Sequence, residues 1–225
     1  MLNRVFDFID AIDKNNNREW FAENKQFYLD AKADFELFLD EVGKQLEFID
    51  NKFKYTKAKD YTFRIYRDVR FSKNKAPYKN HFGAYLCNGG RKSPVAGYYL
   101  HIEPNASFIG GGIYRPNKEY LKAIRQEVYY SYKDLESIVL KPSFKKYYPE
   151  MMDDKLKIGP KDFSKDCDAI NWLKYKSLAV GHGVSREEVV SENYAKEVIK
   201  GFGILKPLND FLNNAIRENI EDIAN

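Results

Sequence analysis

Apolar residues open the chain at helical spacing: Leu2, Val5, Phe6, Ile9 and Ile12 predict a short amphipathic helix over residues 2–13. Asn15-Asn16-Asn17 interrupts it, and Asn17 can cap a second helix by accepting a backbone N–H at its side-chain oxygen. That helix is predicted to run unbroken to about residue 49, with Trp20, Phe21, Phe27, Ala31, Phe35, Phe38, Leu39, Val42 and Leu46 along one stripe. The period then changes. Phe63, Ile65, Val69 and Phe71 alternate with Arg64, Tyr66, Asp68 and Arg70, which predicts a half-buried strand. A loop follows at Ser72–Pro77, then strands over 81–87 and 95–103 joined by a hairpin-type turn at Asn88-Gly89-Gly90. Ser107–Tyr114 predicts another strand, distorted by Gly110-Gly111-Gly112.

Helical spacing returns from Asn117 through Leu121, Ile124, Val128, Leu135 and Ile138. Residues 142–168 are irregular, and Leu178 and Val180 mark a strand within 172–183. Ser185 and Glu188 form a capping box that opens a helix to about Lys200, where Gly201 and Gly203 are expected to stop it; a last helix follows. Short connections between strands favour antiparallel pairing. The expected fold is one α+β domain over residues 1–225: a central antiparallel sheet flanked by N-terminal and C-terminal helices.

With 225 residues, 44% hydrophobic and 16% aromatic, the chain holds enough apolar area for a sizeable core, which excludes intrinsic disorder. No apolar run approaches the ~20 residues of a membrane span, and Asp7 falls where a signal peptide would be apolar, so a soluble cytoplasmic protein is expected. Cys87 and Cys167 lie far apart without a ligand-type pattern, so neither a disulfide framework nor a zinc motif is predicted. The net charge of +4 conceals a strong asymmetry. Residues 1–50 hold twelve acids and six bases, whereas residues 52–81 hold ten bases and two acids with seven aromatics threaded among them. A block of this kind attracts an anion or polyanion.

Within it, Arg64, Tyr66, Asp68 and Arg70 would share one strand face in steps of about 7 Å, while Arg67 would fall on the apolar face. A buried cation must be paired or must line an anion site. The planar guanidinium suits two-pronged binding of phosphate or carboxylate, so Arg64, Arg67 and Arg70 are the candidate recognition set. Ser72, Lys73, Lys75, Tyr78 and Lys79 extend it, and Asn17 and Arg18 at a helix start can complete it. For acid–base work the candidates are Asp68, His101 and Glu103, the last two sharing a sheet face with Tyr99. His81 is a further contributor to the basic site. No pair of histidines or acids has a recognised metal spacing, no nucleotide loop is present, and no cofactor type follows.

The run Arg64-Ile65-Tyr66-Arg67-Asp68-Val69-Arg70-Phe71-Ser72-Lys73-Asn74-Lys75-Ala76-Pro77-Tyr78-Lys79, preceded by Asn16-Asn17-Arg18-Glu19-Trp20-Phe21, resembles the bacterial domain-of-unknown-function 2461 family. The similarity continues through Tyr99–Pro104, Gly110–Tyr114 and Leu173–Ser177, and departs from the family pattern at Cys167-Asp168-Ala169. The resemblance implies a stand-alone soluble bacterial protein and no particular reaction. Three functions fit the residues. The first is binding of a small phosphate- or carboxylate-bearing ligand, with or without catalysis. The second is nucleic-acid binding by the basic aromatic segment 52–81. The third is a structural or protein-interaction module whose arginines pair internally, for example Arg67 with Glu19.

Overall fold

The computed structural model describes residues 2–221. Along the chain, α1 (Asn3–Lys14), α2 (Arg18–Glu23), α3 (Lys25–Ile49) and α4 (Ala58–Tyr61) precede β1 (Phe82–Leu86), β2 (Gly97–Ile102) and β3 (Phe108–Ile113). Then come α5 (Lys118–Val139), α6 (Pro142–Tyr147), α7 (Ile170–Leu173), β4 (Leu178–Gly183), α8 (Arg186–Val190) and α9 (Tyr194–Glu221). The four strands form one antiparallel sheet in the order β1-β2-β3-β4, flanked by the helices, so the α+β fold is as the periodicity predicted. The described chain makes two compact units. One takes in the residues up to Arg91 with Tyr99–Ile109 and Gly183–Lys200; the other takes in Lys92–Tyr98, Gly110–His182 and the described residues from Gly201 onward.

The first unit is built on aromatic packing. Phe8 of α1 meets Trp20, Phe21, Phe27, Tyr28 and Phe82 at ring-centroid distances of 5.5–6.5 Å. Asn17 caps α2 as expected, its Oδ1 accepting the Trp20 N–H at 2.8 Å. The predicted continuous helix is broken at Asn24, whose side chain donates to the Trp20 carbonyl at 2.9 Å and ends α2 before α3 begins. The Trp20 carbonyl thus accepts both the backbone and the side-chain N–H of Asn24, which closes the last turn of α2.

The predicted strand over Phe63–Phe71 is a correction. The segment is an irregular ribbon with only two bridges, Thr62↔Ala84 and Tyr66↔Tyr78. Its backbone bonds run from Phe63 N to Gly83 O, from Arg67 N to Pro77 O, and from Lys79 N to Ile65 O. Pro77 has no N–H to give, so the ladder cannot continue regularly there. Ile65 is buried as the alternation requires, but Phe71 is 96% exposed. Asn16 clamps the ribbon: it donates to the Tyr78 carbonyl and accepts the Tyr78 N–H, both at 3.0 Å, as a strand neighbour would.

In the second unit, Asn117 caps α5 through the Tyr120 N–H. The glycine triplet is a requirement of close strand approach. Gly112 sits at φ +97, and a Cβ there would strike the Leu178 carbonyl of β4. Asp154 draws together Arg115, Lys176 and Ser177. Residues 142–168, unassigned from sequence, contain α6 and two isolated bridges, Met151↔Val180 and Lys155↔Tyr175.

The capping box at Ser185 and Glu188 is present, but the helix it opens ends at Val190, and α9 continues through Gly201 and Gly203. The two glycines therefore do not end a helix. Gly201 is needed for contact: a Cβ would lie 2.8 Å from the Tyr147 hydroxyl, and the Gly201 carbonyl accepts the buried Tyr148 hydroxyl at 3.0 Å.

Candidate functional site

The first unit gathers three ligand-type side chains that the sequence spacing kept apart. His81 stands just before β1, His101 lies on β2 and Glu103 follows β2 by one residue. One nitrogen or oxygen from each of the three lies within 4.8 Å of the others. His101 Nε2 is 2.8 Å from Glu103 Oε2, and its Nδ1 is 3.1 Å from the Tyr99 hydroxyl. Residues 99, 101 and 103 face the same way because side chains alternate along a strand. Asn80 Nδ2 donates to the second carboxylate oxygen of Glu103 at 3.2 Å. The His101 ring is stacked on Phe108 at 4.9 Å and is 4.4 Å from the His81 ring. The His101 side chain is only 12% exposed.

Charge around these residues is mainly positive. His81 is held neutral, its pKa pushed down to about 4, first by burial, then by His101 and Lys79, with a smaller effect of Arg67; Glu103 acts the other way. Lys79 is itself pushed down by burial and then by the Arg64 guanidinium, and its ammonium lies 5.4 Å from the Phe63 ring centroid. The Tyr99 hydroxyl is pushed up to about 12, chiefly by burial and then by Glu103, and so remains a proton donor at neutral pH.

The predicted binding residues fall into separate groups. Arg67 gives its guanidinium to neutral acceptors, the Ala76 carbonyl at 2.9 Å and the Ser72 hydroxyl at 3.4 Å. Arg67 makes no ion pair with Glu19 among the described residues. Arg70 pairs two-pronged with Asp68 at 3.0 and 2.7 Å on the exposed side. That contact lowers the Asp68 pKa. Lys75 donates to the Val69 carbonyl at 3.0 Å, bracing its own loop. Arg64 and Lys73 are exposed. Tyr78 is 5% exposed and stacks on Phe21 at 4.0 Å, so it belongs to the core; Tyr66 packs beside it and is 50% exposed. Asn17 is occupied as a helix cap and Arg18 is exposed next to it.

Sequence reasoning passed over Asn80 and Ser107. The first orients Glu103, and the second both accepts the Glu103 N–H and donates to its carbonyl. Asn80 reaches Glu103 from twenty-three residues away and so leaves no local sequence signal, while Ser107 acts across the turn that follows β2. It also set metal aside on spacing alone, and the sheet brings together ligands that are twenty residues apart in the chain. Cys87 is not among them: its thiol is buried and pushed up to about 12. Elsewhere in the same unit a cleft of about 300 Å³ is lined by Leu2, Phe38, Val189 and Tyr194, among others, and contains none of the predicted site residues. None of the helices among the described residues is long and apolar enough to cross a membrane.

Among the curated proteins and the solved structures nothing matches the chain. A family model does match: the family described as "Conserved hypothetical protein (DUF2461)" aligns with residues 4–211. That span includes the helical start, the Arg67 ribbon, the His81–His101–Glu103 cluster and most of α9. The chain therefore belongs to the DUF2461 family of conserved hypothetical proteins.

Proposed function

We propose that this protein binds a small phosphate- or carboxylate-bearing ligand at the cationic surface formed by Arg64, Arg67 and Lys79, beside the His101–Glu103 pair. The observation that supports it is the charge balance. Among the described residues these three cations form no salt bridge, whereas Arg70 is neutralised by Asp68. An anion supplied from outside would complete them, and a guanidinium offers it a two-pronged contact. His101 and Glu103, 2.8 Å apart, add a proton donor and acceptor for a reaction on the bound ligand.

The test is thermal unfolding of the full chain against inorganic phosphate, citrate and a sugar phosphate. Specific binding raises the melting temperature, by an amount equivalent to about 2.7 kcal/mol at a ligand concentration 100 times Kd. The shift is expected to shrink in Arg64→Ala, which removes an exposed side chain, and in Arg67→Ala. No shift with any anion, or an equal shift in both variants, sinks the reading.

One observation favours a second reading, single-stranded nucleic acid. Phe71 is 96% exposed with the Arg70 guanidinium 5.9 Å from its ring centroid, and Phe63 and Tyr66 are also exposed. Exposed aromatics among cations are how bases are stacked without sequence readout. Fluorescence anisotropy with a labelled oligonucleotide at low salt distinguishes the two. This second reading requires retention that weakens with salt and is lost in Phe71→Ala.

A further inference from the structure

We infer that His81, His101 and Glu103 form a binding site for a first-row transition-metal dication such as Zn²⁺ or Co²⁺. Two imidazole nitrogens and one carboxylate are a donor set for that class, not for Ca²⁺ or Mg²⁺, which take oxygen ligands.

Distances favour it. Neighbouring ligands around a tetrahedral metal with bonds of about 2.0–2.2 Å are roughly 3.3–3.6 Å apart. His101 Nε2 and Glu103 Oε2 stand at 2.8 Å, so they need to part by about half an ångström or slightly more. The third donor, on His81, lies within 4.8 Å of both and must close in, and no hydrogen bond among the described residues holds either of its ring nitrogens back. The surrounding contacts orient the ligands as outer-shell groups do around a metal. Tyr99 holds Nδ1 of His101 at 3.1 Å, leaving Nε2 for the ion, and Asn80 holds Oε1 of Glu103 at 3.2 Å, leaving Oε2.

A metal at Nε2 of His101 requires the ring to carry its hydrogen on Nδ1, which faces the Tyr99 oxygen at 3.1 Å.

Charge works against the ion, since Lys79 and Arg67 lie close to His81 and Glu103 is the site's one carboxylate. An anion at the positions the protein leaves open offsets that repulsion. The expectation that metal and anion strengthen each other's binding rests on the anion reading above; the metal site itself does not. By linkage the enhancement must be equal in both directions.

The test uses the full chain stripped with chelator and dialysed into phosphate-free buffer. Zn²⁺ is measured by elemental analysis after dialysis, and Co²⁺ by its visible absorption. One equivalent is expected in the wild type. His81→Ala and Glu103→Gln are expected to lose at least tenfold in affinity, and Tyr99→Phe roughly 10–100-fold as an outer-shell contact. Circular dichroism checks that each variant is folded, and if His81→Ala is not, Glu103→Gln decides. Absence of stoichiometric metal in the wild type overturns the inference, as does full retention by a folded Glu103→Gln. Phosphate melting shifts on the metal-free protein report separately on the anion site. Their absence with metal binding intact would defeat the anion reading and leave the metal site standing.

Discussion

Gly201 and Gly203 lie two residues apart in α9, and their replacement by alanine is expected to shift stability in opposite directions. Both have helical neighbours on either side, and neither has a positive φ. Helix propensity alone predicts that each Gly→Ala change stabilises by about 1 kcal/mol. Gly203 is exposed, so Gly203→Ala should realise about 0.5–1 kcal/mol of that gain. Gly201 is fully packed. A Cβ there would lie 2.8, 2.9 and 3.0 Å from three atoms of the Tyr147 ring and hydroxyl. Tyr147 cannot swing aside freely, because its ring stacks on His182 at 4.1 Å and meets Tyr148 edge-on at 4.8 Å. Overpacking of this kind costs about 1–3 kcal/mol. Any shift of the helix also strains the buried Tyr148–Gly201 hydrogen bond, a contact of about 1 kcal/mol. After the propensity gain is subtracted, Gly201→Ala should destabilise by about 1–2 kcal/mol. For a chain of this size that is a fall of roughly 3–6 °C in melting temperature, against a rise of about 2–3 °C for Gly203→Ala. Differential scanning calorimetry of both single variants decides it. Adding Tyr147→Phe removes the 2.8 Å contact but leaves the ring carbons, so it should restore part of the loss. If Gly201→Ala stabilises as Gly203→Ala does, the close approach to Tyr147 is wrong.

Removal of the α2 cap in Asn17→Ala should cost about 1 kcal/mol, seen as a lower urea midpoint, while Asn17→Ser should restore most of it. Because α2 carries Phe21, on which Tyr78 stacks, the same variant should loosen the ribbon and raise amide exchange at Tyr78. Asp154 gives a signed pH dependence. The Lys176 ammonium, and after it Arg115 and Ser177, hold its pKa down at about 2, below its usual value of 3.8. The folded state thus keeps the carboxylate where the unfolded chain would take up a proton. The stabilisation is present above the unfolded value and is lost as pH falls from about 4 toward 2. Acid unfolding curves of wild type and Asp154→Asn should converge over that interval, and parallel curves down to pH 2 would refute the assignment.

Much of the fold was legible in local pattern. Period and capping chemistry located α1, the starts of α2 and α5, β1 to β3 and the capping box at Ser185, because each depends on residues a few positions apart. The failures share a cause. The ribbon from Phe63 to Phe71 alternates like a strand, yet its pairing is decided by Pro77 and by the Asn16 clamp sixty-two residues away from Tyr78. Gly201 resembles a helix stop until Tyr147 is seen packed against it. The basic character of the site was also legible, since Arg64, Arg67 and Lys79 lie in one run, and so was the shared face of Tyr99, His101 and Glu103.

Fold class, the helix caps and the concentration of positive charge in residues 52–81 all follow from neighbouring residues and their periodicity. Which charges are neutralised depends on the folded chain. Asp68 is given to Arg70, while Arg67 donates to a carbonyl and a hydroxyl and forms no salt bridge among the described residues. The folded chain also places His81 beside His101 and Glu103, because antiparallel pairing of β1 and β2 brings together positions separated by a twenty-residue excursion of chain. Spacing in sequence carries no trace of that meeting, since the strand register that produces it is fixed by burial of the opposite face.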